Sequence, residues 1–127
     1  MMKTFDSQIT FIYTRDLETA SAFYGDLLEL PLVLDQGGCR IYRVAQGGFI
    51  GVCGRGEAPE PQGVILTLVT DDVDEWFHRL VAAGTVVEKK PAYNPDYDIY
   101  HCFLQDPAGY RIEIQRFEGS AWNDSQE

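Results

Sequence analysis

Basic side chains are scarce in this chain. Ten Lys and Arg stand against 20 Asp and Glu in 127 residues, for a formal net charge of −10. That balance repels phosphates and argues against nucleic acid as a partner, and equally against an anionic membrane surface. Two readings of the charge remain, plain solubility or attraction of a cationic ligand. Long apolar runs are missing as well. None approaches the ~20 residues that span a bilayer. Residues Met1 to Asp6 lack the basic-then-apolar pattern of a secretory leader, so a cytosolic location is the expectation. Cysteine is limited to Cys39, Cys53 and Cys102, an odd number with no C-x-x-C pair. Each lies in an apolar, strand-like context, which predicts reduced buried thiols rather than metal or redox chemistry. What the chain does have is 45% hydrophobic residues, 13% of the total being aromatic. That is enough to bury the core of one compact domain.

An internal repeat organises the sequence. Ile9 to Thr14 reads as a strand, and Thr14-Arg15-Asp16-Leu17-Glu18 leads into a helix. Ile65 to Thr70 reads as a strand again, and Thr70-Asp71-Asp72-Val73-Asp74 leads into a second helix. Asp16 and Asp72 suit helix N-caps, with Glu75 completing a capping-box pattern. Leu17, Ala20, Tyr24, Leu27 and Leu28 form one apolar stripe. Val73, Trp76, Phe77, Leu80 and Val81 form the other. Pro31 is expected to stop the first helix, and Gly84 to cap the second. Strand-like runs follow each helix, punctuated by Gly37-Gly38, Gly47-Gly48 and Asp106-Pro107-Ala108-Gly109. The chain is therefore predicted to be α+β, with two tandem β-α-β-β-β modules at 8–54 and 64–117. A linker at 55–63 and a frayed polar tail at 118–127 complete it.

Three strings carry a family resemblance. "YTRDLETASAFYGDLLEL" and "LVTDDVDEWFHRLVAAG" look like paired strand-to-helix segments, and "FLQDPAGYRIEI" looks like a closing hairpin of the form Asp-Pro-x-Gly-x-x-x-Glu. In order and spacing the chain resembles the vicinal-oxygen-chelate superfamily, which groups glyoxalases, bleomycin-resistance proteins and extradiol dioxygenases. The resemblance implies a curved mixed sheet around a cavity, with the helices outside. It also implies four metal-ligand positions, one on the first and one on the last strand of each module. Here these fall on Ile9, on Gly51 (or Val52 if the turn is shifted), on Ile65 and on Glu113. Only the last offers a donor atom, and a divalent ion normally needs three or four. The resemblance thus points to the metal-free, ligand-sequestering members, with no cofactor, and by analogy to a homodimer.

The resemblance implies that these four positions, and Phe103 in the closing hairpin, face the cavity, and strand alternation from them completes the set of ligand-facing side chains. They are Phe11, Tyr13 and Phe49 in the first module, and Thr67, Phe103, Arg111 and Glu113 in the second. Ile12, Leu66, Leu68, Ile112 and Ile114 fall on the helix side. His101 shares the parity of Phe103. It either meets Glu113 as an acid/base pair or simply donates to a local carbonyl. Glu113 either pairs with Arg111 or a neighbouring strand, or anchors a cationic group. Tyr97 sits in the acidic, aromatic segment 91–98, which reads as a lid or as an ordinary turn-rich loop. His78 lies off the helical stripe and is expected in solvent. The expected function is sequestration of a small cationic or aromatic compound. The alternative is a lyase- or isomerase-type enzyme using His101 and Glu113, with or without an unconventional metal site.

Overall fold

Asp16 opens the first helix as its chemistry predicts. Its carboxylate accepts from the Thr19 backbone N–H at 3.0 Å and from the Thr19 hydroxyl at 2.6 Å, satisfying a donor that has no partner inside the helix. In the computed structural model, which describes residues 2, 4–55 and 63–126, strand β1 (Gln8–Thr14) precedes this cap and helix α1 (Leu17–Ser21) follows it. The helix then widens into a π-helical stretch, Ala22–Leu27, and the Leu28 N–H donates five residues back to the Phe23 carbonyl at 2.9 Å. The wider turn buries Phe23 together with Ala20, Tyr24 and Leu28. It leaves Leu17 and Leu27 only half-buried, so the stripe expected from α-helical spacing is shifted. Termination comes at Glu29, which adopts a left-handed φ of 59° while the Leu30 N–H reaches the Tyr24 carbonyl at 3.1 Å. This C-terminal cap ends the helix before Pro31 is reached.

Strands β2 (Leu32–Asp35), β3 (Cys39–Ala45) and β4 (Gly48–Gly54) complete the first unit. They form a four-stranded sheet in the order β1-β4-β3-β2, with β1 parallel to β4 and the other pairs antiparallel. Helix α1 packs on β4. Cys39 and Cys53 lie directly opposite each other across β3 and β4, and they are joined as a disulfide. This corrects the expectation of three reduced thiols. The two cysteines form a non-hydrogen-bonded cross-strand pair, flanked by the bond from Gly54 N–H to the Gly38 carbonyl. Side chains stand closest at such pairs, and spacing along the chain does not reveal the register. Cys102 stays free and buried.

The second unit repeats the plan. It comprises β5 (Ile65–Val69), α2 (Val73–Ala82), β6 (Val86–Asn94), β7 (Ile99–Gln105) and β8 (Arg111–Phe117). The sheet order is β5-β8-β7-β6, again with one parallel pair, β5 with β8. Leu66, Cys102, Leu104, Ile112 and Ile114 are buried on the helix side with Val73 and Leu80, and α2 packs on β7 and β8. Gly84, at φ 87°, caps α2 as expected, with the Thr85 N–H returning to the Leu80 carbonyl at 3.0 Å. His78 is exposed, and so is Val81, at the edge of its expected stripe.

Three local expectations change. Asp72 stands at the N-cap of α2, but its side chain makes no capping bond; instead the Thr70 hydroxyl accepts from the Asp72 N–H at 3.1 Å. The segment read as a loop at 91–98 is strand in its first half, since β6 runs to Asn94, and a turn from 95 to 98 before β7. The tail is not featureless: α3 (Ala121–Ser125) brings Trp122 to stack on Phe117, ring centroids 4.7 Å apart. The hairpin at Asp106 is held by that residue's carboxylate, which accepts from the N–H groups of Ala108 at 2.9 Å and Tyr110 at 2.8 Å. The chain divides into two compact units, Met1–Glu60 and Pro61–Glu127. Positions 56–62 of the expected linker lie outside the described residues. Among the described residues no helix is long and apolar enough to cross a membrane.

Candidate functional site

The two sheets share one register. Phe11 on β1 faces Gly51 on β4, and Thr67 on β5 faces Glu113 on β8. Gly51, not Val52, is therefore the first-unit counterpart of Glu113. Alternation splits the second sheet cleanly: Leu66, Ile112 and Ile114 turn to the helix, while Thr67, Glu113 and Gln115 turn the other way. On that second face Glu113 and Gln115 are buried although they are polar.

They are buried because they are bonded to one another and to His101. The Thr67 hydroxyl donates to Glu113 Oε1 at 2.8 Å, and His101 Nδ1 lies 2.6 Å from Glu113 Oε2. The Gln115 amide, turned with its nitrogen toward the carboxylate, donates to Oε2 at 3.0 Å and Oε1 at 3.3 Å. A buried carboxylate needs such donors in place of water. On the other side of the imidazole, Lys89 Nζ stands 3.1 Å from His101 Nε2. An ammonium has only protons to give, so Nε2 is the acceptor and Nδ1 carries the ring hydrogen toward Glu113. The result is a chain of hydrogen bonds, Lys89 to His101 to Glu113. The Phe103 ring meets His101 edge-on, centroids 5.0 Å apart.

These groups floor an open groove of about 410 Å³. Its apolar walls are Ile65, Ile99, Phe103 and Phe117, with Tyr97 and Asn94 at the turn between β6 and β7. Of the side chains expected from the sequence, Tyr97, His101, Phe103 and Glu113 line this groove, and Thr67 joins them only through its bond to Glu113. Arg111 is on the same face but exposed. It forms a forked pair with Glu88, at 3.1 and 3.0 Å, and lies 5.3 Å from the Phe103 ring centroid. Its hydrogen bonds hold the Glu88 carboxyl below the ordinary carboxylate range. Glu113 therefore does not pair with Arg111. Phe11, Tyr13 and Phe49 belong to the first unit. Phe11 lies across Gly51, Tyr13 has Arg55 5.7 Å from its ring centroid, and Phe49 is half-buried. None of the three lines this groove.

Lys89 was not expected at the site, and β6 explains why. The pairing slips between Val87 and Lys89 and again between Lys89 and Ala92. With regular pairing onward from Val87 opposite Leu104, Lys89 would oppose Cys102 and face the helix. The bulge sets it opposite Phe103 instead, on the groove side. Pro91, inside an edge strand, was the one visible sign of irregularity.

The glyoxalase/bleomycin resistance protein/dioxygenase superfamily model matches residues 7–114. The chain belongs to that superfamily. Among curated proteins none matches its sequence significantly. Among solved structures, a lactoylglutathione lyase from Agrobacterium tumefaciens is similar with a TM-score of 0.69 at 25% identity, over 90% of this chain and 93% of that one. A glyoxalase/bleomycin resistance protein/dioxygenase family enzyme from Burkholderia phytofirmans PsJN gives 0.73 at 20% identity, over 86% and 96%. A glyoxalase/bleomycin resistance protein from Albidiferax ferrireducens T118 gives 0.70 at 23% identity, over 85% and 95%.

A metal of the kind many superfamily members use does not fit the residues present. Ile9 and Ile65 have no lone pair. At Gly51 even a Cβ would meet the Phe11 ring well inside van der Waals contact. Glu113 has donors directed at both of its oxygens. Among the described residues no three His, Cys, Asp or Glu side chains cluster in a way that would hold an ion.

Proposed function

We propose that this chain is a small-molecule-binding member of the superfamily that works without a resident metal, with the groove over β7 and β8 as its contact surface. The observation that carries this reading is the state of Glu113. It is the one inherited ligand position that still has a donor atom, and its carboxylate is committed to Thr67, His101 and Gln115. The rest of the groove suits a compact apolar or aromatic body, since ligand sites are mostly hydrophobic with a few fixed polar groups. The test pairs metal analysis of protein purified without chelators with a thermal-shift screen of aromatic metabolites and antibiotics. The expected result is less than stoichiometric metal and at least one stabilising compound. At one hundred times its dissociation constant such a compound raises stability by about 2.7 kcal/mol. Stoichiometric metal that survives dialysis would overturn the reading. By analogy with the superfamily we further propose a homodimer, to be checked by light scattering.

A second reading, proton transfer of the lyase or isomerase type, draws on one specific feature. Glu113 fixes the imidazole in one tautomer with Nε2 as its basic atom, which becomes available to the groove when Lys89, whose N–H it accepts, swings away. It predicts that a bound carbon acid exchanges hydrogen for deuterium in heavy water and that His101→Ala abolishes the exchange. Equal exchange with the variant would exclude this role.

A further inference from the structure

We infer that the compound taken by this groove is an organic anion, with an aromatic or aliphatic body and a single carboxylate-type group that docks on Lys89. The inference rests on the groove being a ligand site, as proposed above, and adds the sign of the charge it selects.

Lys89 is the decisive group. In a chain with twice as many acidic as basic residues, most cations near this sheet find a carboxylate. Arg111 is paired with Glu88 and Arg116 with Glu118. Lys89 is not: among the described residues its Nζ contacts an imidazole nitrogen and no carboxylate. One of its three N–H bonds is used on His101, and two remain. Among the described residues that line the groove the one acid is Glu113, which is 8% exposed and already surrounded by donors. The groove therefore offers a positive charge and withholds the negative one. A cationic ligand would meet an ammonium with no accessible counter-charge.

Two further features agree. Asn94 spends its carbonyl oxygen on the Asp96 N–H at 2.9 Å, so its free amide hydrogens present another donor to the groove. The apolar walls lower the local dielectric, which strengthens an ammonium–carboxylate contact relative to open water. The bulge in β6 also gains a purpose. It turns Lys89 out of the helix-facing layer and into the groove.

The test uses three probes of one shape: 2-naphthoate, neutral 2-naphthamide and cationic 2-naphthamidine. Affinities come from calorimetry, and amide shifts at Ile65, His101 and Phe103 locate the binding. The full chain is compared with Lys89→Met and Lys89→Arg, both at an exposed position that should leave folding intact. The expected result is that the carboxylate binds at least about tenfold more tightly than the amide, with the amidine weakest. Lys89→Met should erase that preference, bringing the carboxylate down to the affinity of the amide, and Lys89→Arg should keep it. If the amide or amidine matches the carboxylate, or the preference survives Lys89→Met, anion selection is wrong while the groove remains a ligand site. If none of the three shifts the groove amides, the groove reading itself fails and takes this inference with it.

Discussion

His101 is 3% exposed, and each of its ring nitrogens has a single protein partner. Such a residue is expensive to disturb from one side only. Glu113→Leu strands the buried imidazole N–H and the Gln115 amide without their acceptor, and His101→Phe strands part of a buried carboxylate. Each should cost about 2–4 kcal/mol in urea denaturation. The double variant removes both needs together and should cost less than the sum, with a coupling of about 1–3 kcal/mol. Strict additivity would show that the pair does not act as a unit. Cys102 illustrates burial without partners of that kind. Desolvation pushes its thiol up to about 11. The folded protein should therefore resist iodoacetamide at pH 8 and react only in urea. The sign of the accompanying pH effect follows. As pH rises above the ordinary thiol value of 9.0, the unfolded chain loses this proton while the folded chain keeps it. Stability should fall across that window.

Helix ends show which elements the sequence made legible. Asp16 and Gly84 announced themselves because a cap is local: the side chain or the missing Cβ answers a need a few residues away. Gly84→Ala, at φ 87°, should cost about 1 kcal/mol in denaturation. Asp16→Ala should lower the melting midpoint at neutral pH. The hydrogen bonds from Thr19 hold the Asp16 carboxyl below its ordinary value of 3.8, so its contribution is present above that value and fades as pH falls through the lowered one. Parent and variant midpoints should converge in acid, and a constant gap would show that the carboxylate's charge is irrelevant to the cap. What stayed hidden depends on register. The π-helical turn after Ser21 moves Phe23 inward without any change in composition. The bulge in β6 reverses the face of Lys89, and nothing in a string of residues counts the partners on the next strand. The same limit split the site. Glu113 came from the family motif, and Thr67 and His101 from alternation counted from positions that motif placed, whereas Lys89 required the slip in pairing to be seen.

At the scale of the whole chain, the repeat and its two β-α-β-β-β modules were legible in the spacing and the family in three motifs, but the single sheet expected is two four-stranded ones, and the cross-link found among the described residues was not foreseen. Cys39 and Cys53 are 14 residues apart, and only the antiparallel pairing of β3 with β4 makes them neighbours. A disulfide also bears on where the protein works. Such bonds persist in oxidising compartments, and in the cytosol they are mostly transient or redox-active. Rapid alkylation in intact cells, followed by peptide mapping, reports whether Cys39 and Cys53 are bonded in place. The physical consequence can be confined to one unit. A cross-link over a loop of about 15 residues stabilises by roughly 3 kcal/mol in the chain-entropy view, and here it ties strands of the first sheet alone. Under dithiothreitol, amides of β3 and β4 should exchange hydrogen faster, while those of β7 and β8 keep their protection. Cys39→Ser should reproduce the reduced pattern and be indifferent to the reductant. Equal loosening of both sheets would mean that the two units unfold as one. An unchanged pattern, with free thiols at both positions, would mean that the pair packs as two cysteines and leaves the stability of the first unit to its strands.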